Sequence, residues 1–256
     1  MRAMILAAGL GTRLRPLTAG RPKALVTVAG HTMLEIALNR LRTFGVRQVM
    51  VNTHHHAEMI NDFLKAHDNF GMSIEISREE VLLDTGGGLK RAAWFFLAGS
   101  SDEPFILHNV DIISTIDLAR MVQFHVEQNA LASLAVQDRA TSRYLLFDED
   151  GQLCGRRIRS EETNGDGRPQ EAETELIRPA GNVSALAFSG IHVISPRLLT
   201  KLTEEGAFSI ISAYLRLAAQ REKIVAFRAD EYYWRDLGRS EDVIKAESEI
   251  AAGIYK

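Results

Sequence analysis

Apolar residues recur along the chain with two periods. Ala3–Ala8 is a continuous apolar run, as expected of a central parallel strand buried on both faces. From Met33, the residues Leu34, Ala37, Leu38, Leu41 and Phe44 fall at helical spacing, and Gly45 supplies a stop. The spacing then predicts a strand at Gln48–Asn52, a helix near Glu58–Ala66 with Ile60, Phe63 and Leu64 on one face, and a strand at Met72–Ser77. A helix over Gly88–Leu97, with Trp94, Phe95 and Phe96 as its core residues, and a strand at Phe105–Asn109 complete the first half. Such alternation predicts an α/β fold with a doubly wound, mostly parallel sheet, whose ligands lie beyond the carboxyl ends of the strands.

The second half is more mixed. A helix near Leu118–Asn129 precedes a strand at Leu131–Gln137, and Tyr144–Phe147 with Leu153–Arg156 reads as a hairpin around Asp148-Glu149-Asp150-Gly151. Ser160–Gly181 is polar and without period, which predicts a mobile insertion. A long strand at Ser184–Ile194 follows, then helices at Arg197–Leu202 and Ser209–Gln220, strands at Ile224–Arg228 and Tyr232–Asp236, and a helix from Ser240. No internal repeat or hexapeptide array is present.

Composition narrows the function classes. With 256 residues, 46% hydrophobic and 25% charged, the chain can bury a sizeable core, and its length favours one large domain with a modest appendage. A formal charge of −3 supplies no global basic field, so neither nucleic acid nor a membrane is an expected partner. The single cysteine, Cys154, suits a reducing cytoplasm. The apolar start stops too early for a signal peptide, because Gly9, Gly11, Arg13 and Arg15 follow at once.

Candidate chemistry begins where Ala3–Ala8 empties into Gly9-Leu10-Gly11-Thr12-Arg13-Leu14-Arg15-Pro16. Two glycines let backbone N–H groups approach phosphate oxygens. The dinucleotide fingerprint needs a third glycine where Leu14 stands and an acidic residue where Asn52 and Thr53 stand, and the Gly-Lys-Ser/Thr of the phosphate-binding loop is also missing. Present instead are two cations, Arg13 in the loop and Lys23 in Arg21-Pro22-Lys23-Ala24-Leu25, which suit a polyphosphate whose charge rises during reaction. His54, His55 and His56 invite a metal reading, but adjacent residues at a strand end rarely converge on one ion. His108 reads as a packed residue or as a polar contact near phosphates.

The stretch Leu6-Ala7-Ala8-Gly9-Leu10-Gly11-Thr12-Arg13-Leu14, with Pro16-Leu17-Thr18 and Pro22-Lys23-Ala24-Leu25, resembles the signature of the sugar-1-phosphate nucleotidylyltransferases. The resemblance continues through Asp84-Thr85-Gly86-Gly87-Gly88, Asn109-Val110-Asp111, Phe188-Ser189-Gly190-Ile191-His192-Val193 and Trp234-Arg235-Asp236-Leu237-Gly238. It implies a Rossmann-like nucleotidyltransferase fold spanning 1–256, with a nucleotide-binding half at 1–112 and a smaller mixed sugar-binding half at 113–256. It implies catalytic roles for Arg13, Lys23 and Asp111, and a Mg²⁺ held by Asp111 and Asp236, two hard oxygen ligands of the kind that ion prefers. Nucleotide contacts fall on Leu6, Ala7, Ala8, Gly9, Gly11, Thr12, Arg13, Thr85, Gly86, Gly87 and Asn109, and sugar contacts on Ser189 and Gly190. Base selection falls on Glu79 or Glu80, since a carboxylate can accept from the ring N–H of uracil, thymine or guanine. The implied partners are UTP, GTP or dTTP and a sugar 1-phosphate, and a homo-oligomer is compatible with the sequence.

Two departures stand out. The family usually has glycine where Val110 stands, and its Glu-Lys-Pro segment, whose lysine meets the sugar phosphate, is missing. Arg156, Arg157 and Arg159 could replace that charge, although a solvated basic run is the simpler reading.

Overall fold

The apolar run at the N-terminus forms β1 (Arg2–Leu6) in a computed structural model that describes residues 1–98, 102–159 and 173–255. A small hairpin, β2 (Thr27–Val28) and β3 (His31–Thr32), leads into α1 (Met33–Thr43). That helix begins on a capping box: Glu35 N–H donates to Thr32 Oγ1 at 3.1 Å, and Thr32 N–H to Glu35 Oε2 at 3.4 Å. Next come β4 (Gln48–Thr53), α2 (Ala57–Ala66), β5 (Ser73–Arg78), α3 (Asp84–Arg91), α4 (Ala93–Leu97) and β6 (Phe105–Asn109). The chain continues through β7 (Ile112–Ser114), α5 (Leu118–Glu127), β8 (Ala132–Gln137), β9 (Arg143–Phe147), β10 (Leu153–Ile158), β11 (Glu173–Leu176) and β12 (Ser184–Ile194). It closes on α6 (Ile210–Ala219), β13 (Ile224–Arg228), β14 (Trp234–Asp236) and α7 (Ser240–Ala251).

Strands β5, β4, β1 and β6 lie side by side and parallel, as the alternating pattern requires. Strand β12 runs antiparallel to β6 and carries the sheet into the mixed second half, pairing with β9 along its first residues and with β8 along most of its length. Alternate side chains of β1 point to opposite faces. Ala3 and Ile5 join the core with α1, α2, α5 and α7, while Met4 joins the core with α3, α4 and α6. Both faces are thereby covered, which is the doubly wound arrangement.

Four expectations are corrected. The helix expected over Gly88–Leu97 starts earlier, at Asp84, and breaks at Ala92 into two. Trp94 is 58% exposed, whereas Phe95 and Phe96 do pack in the core. Pro196–Lys201 is a 3-10 helix. Of the insertion expected at 160–181, residues 160–172 lie outside the described residues, and Glu173–Leu176 is a strand paired with β10. No helix among the described residues is long and apolar enough to cross a membrane.

Candidate active site

The carboxyl ends of β1, β4 and β6 open into two adjacent cavities, of about 400 Å³ and about 540 Å³, that share Asn109 at the end of β6. Leu6, Ala8, Gly9, Asn52, Thr85 and Val110 are on the wall of the narrower one. A Cβ on Gly9 would meet nothing within 4 Å, so this backbone faces open space. Gly11 has φ +62°, and a Cβ there would stand 2.9 Å from Thr18 Cγ2, so glycine is required. Thr18 Oγ1 donates to the Gly11 carbonyl at 2.8 Å and closes the loop into the 3-10 turn Thr12–Leu14. Thr12 itself is exposed and on neither cavity wall.

Four charged residues from distant segments gather near the junction of the cavities: Lys23 and Asp111 line the narrower cavity and Asp236 the wider, while Arg13 is on neither wall and lines a third cavity that also touches Asp236. Asp111 follows β6, and the antiparallel β7–β14 pair sets Asp236 opposite Ile112. Leu237 N–H donates to the Asp111 carbonyl at 2.8 Å, which ties the two carboxylate-bearing segments together. Lys23, from the turn Lys23–Leu25, forms an ion pair with Asp111 Oδ2. A Cβ on Gly238 would lie 2.8 Å from Asp236 Oδ1 and 2.9 Å from Arg13 Nη2, so the Arg13 guanidinium and the Asp236 carboxylate meet over this glycine. Burial raises the Asp236 carboxyl above its ordinary range and the Asp111 charge adds to the rise, against Lys23, the Gly238 N–H and Arg13. Asn109 Oδ1 is buried at the same junction with no donor to it among the described residues.

Other expected contacts stand elsewhere. Glu79 is a correction: it is 2% exposed, and both its oxygens are used internally. Oε1 accepts from Asn52 Nδ2 at 2.7 Å and Oε2 from Leu83 N–H at 2.9 Å. Asn52 Oδ1 in turn accepts from Ala7 N–H at 2.7 Å. Glu79 therefore holds the cavity wall from behind, and Glu80 is exposed off the wall. Gly86 and Gly87 are also corrected, since they pack under another segment and not against the cavity. A Cβ on Gly86 would stand 2.3 Å from the Phe208 ring, and one on Gly87 2.6 Å from the Gly206 carbonyl. The Ser189 hydroxyl is fully buried and off both walls, while Gly190 lines the wider cavity. Gly190, at φ +73°, sits in a register shift of β12 that presses its backbone against Asn109. Val110 packs into the core at the inner edge of the narrower cavity.

The wider cavity is built around Trp234, whose Nε1 donates to the Ser189 carbonyl at 2.8 Å. Arg139 lies over the indole at 3.6 Å and donates to the Phe188 carbonyl at 2.8 Å. Burial pushes the Arg139 guanidinium down, opposed by Asp236 and Tyr144. Of the basic run, Arg156 pairs with Glu175 at 2.7 Å and Arg157 donates to Thr174 Oγ1 at 3.2 Å. His54 Nδ1 meets the Glu79 carbonyl at 2.8 Å, and His55 and His56 lie ring to ring. His108 is fully buried among the strands. Sequence reasoning missed Asn52, Arg139 and the support role of Glu79. Each acts through a partner far away in the chain, and none carries a local periodic signal.

Residues 2–253 match the family model described as nucleotidyl transferase. An N-acetylmuramate alpha-1-phosphate uridylyltransferase of Caulobacter vibrioides is 32% identical over 97% of this chain and 96% of its own length. The mannose-1-phosphate guanylyltransferase catalytic subunit beta of Drosophila pseudoobscura is 30% identical over 95% of this chain, which spans 60% of that protein. The crystal structure of HddC from Yersinia pseudotuberculosis, complexed with GMP-PN, is 20% identical. It aligns with a TM-score of 0.72 over 97% of this chain and 99% of that one, a likeness of fold.

Proposed function

The chain belongs to the nucleotidyl transferase family, and on that premise we propose that it transfers a uridylyl group from UTP to N-acetylmuramate 1-phosphate, releasing pyrophosphate. The observation that carries the reaction is the meeting of Lys23, Asp111 and Asp236 where two cavities share a wall, with Arg13 beside Asp236 across Gly238. One cavity takes the nucleoside and the other the sugar, so residues 1–112 serve chiefly the nucleotide and 113–256 chiefly the sugar. The choice of substrates follows the uridylyltransferase relative, 32% identical over 97% of this chain, against 30% over 95% for the guanylyltransferase.

Backbone at Ala8 and Gly9 faces the phosphates, and Lys23 and Arg13 are fixed donors for charge that grows on the α-phosphate as pyrophosphate departs. A sugar phosphate oxygen, approaching from the wider cavity, displaces pyrophosphate in line, with no covalent enzyme intermediate. Among the described residues no group of three or more acidic, histidine or cysteine side chains gathers to cage a metal. The two carboxylates nevertheless fit Mg²⁺, which takes one or two such ligands and completes its shell with phosphate and water oxygens. Held by Asp111 and Asp236, that ion would neutralise charge on the reacting phosphate. The buried lone Cys154 agrees with a cytoplasmic setting.

Pyrophosphate release, measured with UTP, GTP, dTTP, CTP and ATP against a panel of sugar 1-phosphates, tests this reading. UTP with N-acetylmuramate 1-phosphate should be the best pair, and excess EDTA should stop turnover. GTP with mannose 1-phosphate as the best pair would overturn the substrate choice and leave the reaction class standing.

A further inference from the structure

The wider cavity carries more positive charge than a neutral sugar accounts for. Arg139, Arg143 and Arg156 all line it, and Asp236 is its one acidic lining residue among the described residues. Two of the three arginines are committed within the chain. Arg139 is stacked on Trp234, bonded to the Phe188 carbonyl and close enough to Asp236 to feel its charge. Arg156 is neutralised by Glu175 on β11. Arg143 differs: its side chain is exposed at the start of β9, and no carboxylate among the described residues pairs with it.

Its position sets a distance. Tyr144 is the partner of Ala187 on β12, and β9 runs antiparallel to β12, so Arg143 falls opposite Phe188, about two residues of β12 from Gly190 and the Asn109 junction. At ~3.3 Å per strand residue along β12 and ~4.8 Å across to β9 this is ~8 Å, the span of a pyranose ring with a short substituent. A phosphate placed at the junction would thus leave Arg143 facing the far side of the sugar. Sugar hydroxyls are satisfied by neutral groups, whereas a guanidinium fork matches a carboxylate in shape and charge.

We propose that Arg143 receives a carboxylate carried by the sugar, so that the acceptor is an acidic sugar 1-phosphate with negative charge at both ends. The proposal rests on the nucleotidylyl transfer reading and names a specificity residue for it. The carboxylate has two chemical sources, an acidic ether substituent as in N-acetylmuramate or an oxidised ring carbon as in a uronate, and Arg143 suits both.

The test is the ratio of kcat/KM for an acidic acceptor to that for a neutral one, at saturating UTP. N-acetylmuramate 1-phosphate and glucuronate 1-phosphate are the acidic arms, and N-acetylglucosamine 1-phosphate is the neutral arm. The wild-type protein should prefer at least one acidic arm tenfold or more, and the preferred arm identifies the source. Arg143→Gln should collapse that ratio about ten- to a hundredfold, the range for a lost hydrogen bond to a charged group. Most of the loss should fall in KM, and Arg143→Lys should restore part of it. A wild-type ratio near one, or a ratio unchanged in Arg143→Gln, would overturn the proposal while leaving nucleotidylyl transfer intact. Lack of turnover with every acceptor and triphosphate would instead remove the reaction itself, and the proposal with it.

Discussion

A carboxylate can only accept hydrogen bonds, and this fixes the orientation of Asn52. Its Nδ2 must face Glu79, so its Oδ1 must face the Ala7 N–H, and the wall of the narrower cavity is set from behind by a buried hydrogen-bonded pair. Glu79→Gln keeps the shape but turns one acceptor into a donor, aimed at either the Asn52 amide or the Leu83 N–H. Leaving a buried donor unpaired costs about 1–3 kcal/mol. The variant should melt lower and show a raised KM for the triphosphate, with the KM for the sugar phosphate little changed. Equal shifts in both KM values, or none, would mean that the pair does not position the nucleotide wall. That Asp111 and Asp236 come together was legible in the sequence, because each stands in a distinctive local motif. The role of Glu79 was not, because its meaning comes from Asn52, on a neighbouring strand.

Elements repeat that contrast between local and distant causes. The strands and helices of the first half were readable from periodicity, because β1, β4 and β6 bury apolar runs, the edge strand β5 alternates, and the helices bury a stripe. Helix α3 was not readable at its start, since three glycines disfavour a helix by about 1 kcal/mol each. What begins it is a distant segment: the Phe208 carbonyl accepts from Gly86 N–H at 2.9 Å and Gly87 N–H at 3.3 Å, and the Thr85 hydroxyl oxygen accepts from Ile210 N–H at 3.0 Å. The same segment sends Ala207 to the narrower cavity and Ser209 to the wider one, so its docking shapes both. Gly86→Ala would drive a methyl into the Phe208 ring. It should cost about 1–3 kcal/mol, as overpacking does, and raise KM for both substrates. Gly9→Ala has open space around it and should leave the melting temperature unchanged while weakening the triphosphate alone. Equal melting temperatures for the two variants would refute this division of roles.

At the scale of the whole molecule, buried neutral histidines make the fold sensitive to mild acid. Burial, with His108 nearby, lowers His192 to about 3, and burial with Arg197 lowers His125 to about 4. His192 Nδ1 lies 2.9 Å from the Tyr214 hydroxyl, and the two ring nitrogens of His125 lie 3.0 Å from Ser133 Oγ and 2.9 Å from Ser195 Oγ. Above pH ~6.5 these groups are neutral in folded and unfolded chains alike and contribute no pH dependence. Below it the unfolded chain binds protons that the folded one refuses, so stability falls by ~1.4 kcal/mol per pH unit for each histidine until the folded value is reached. At pH 5 the loss is roughly 2 kcal/mol apiece, a large part of the ~5–15 kcal/mol that holds a domain together. Asp236, whose carboxyl is raised in the fold, works in the opposite direction. Urea unfolding at pH 7.5, 6.0 and 5.0 should show this decline. His125→Gln keeps an amide donor and acceptor beside the two serines but removes one titrating group, so it should flatten the slope by ~1.4 kcal/mol per pH unit. An identical slope in the variant would mean that His125 is protonated in the folded chain, contrary to its burial.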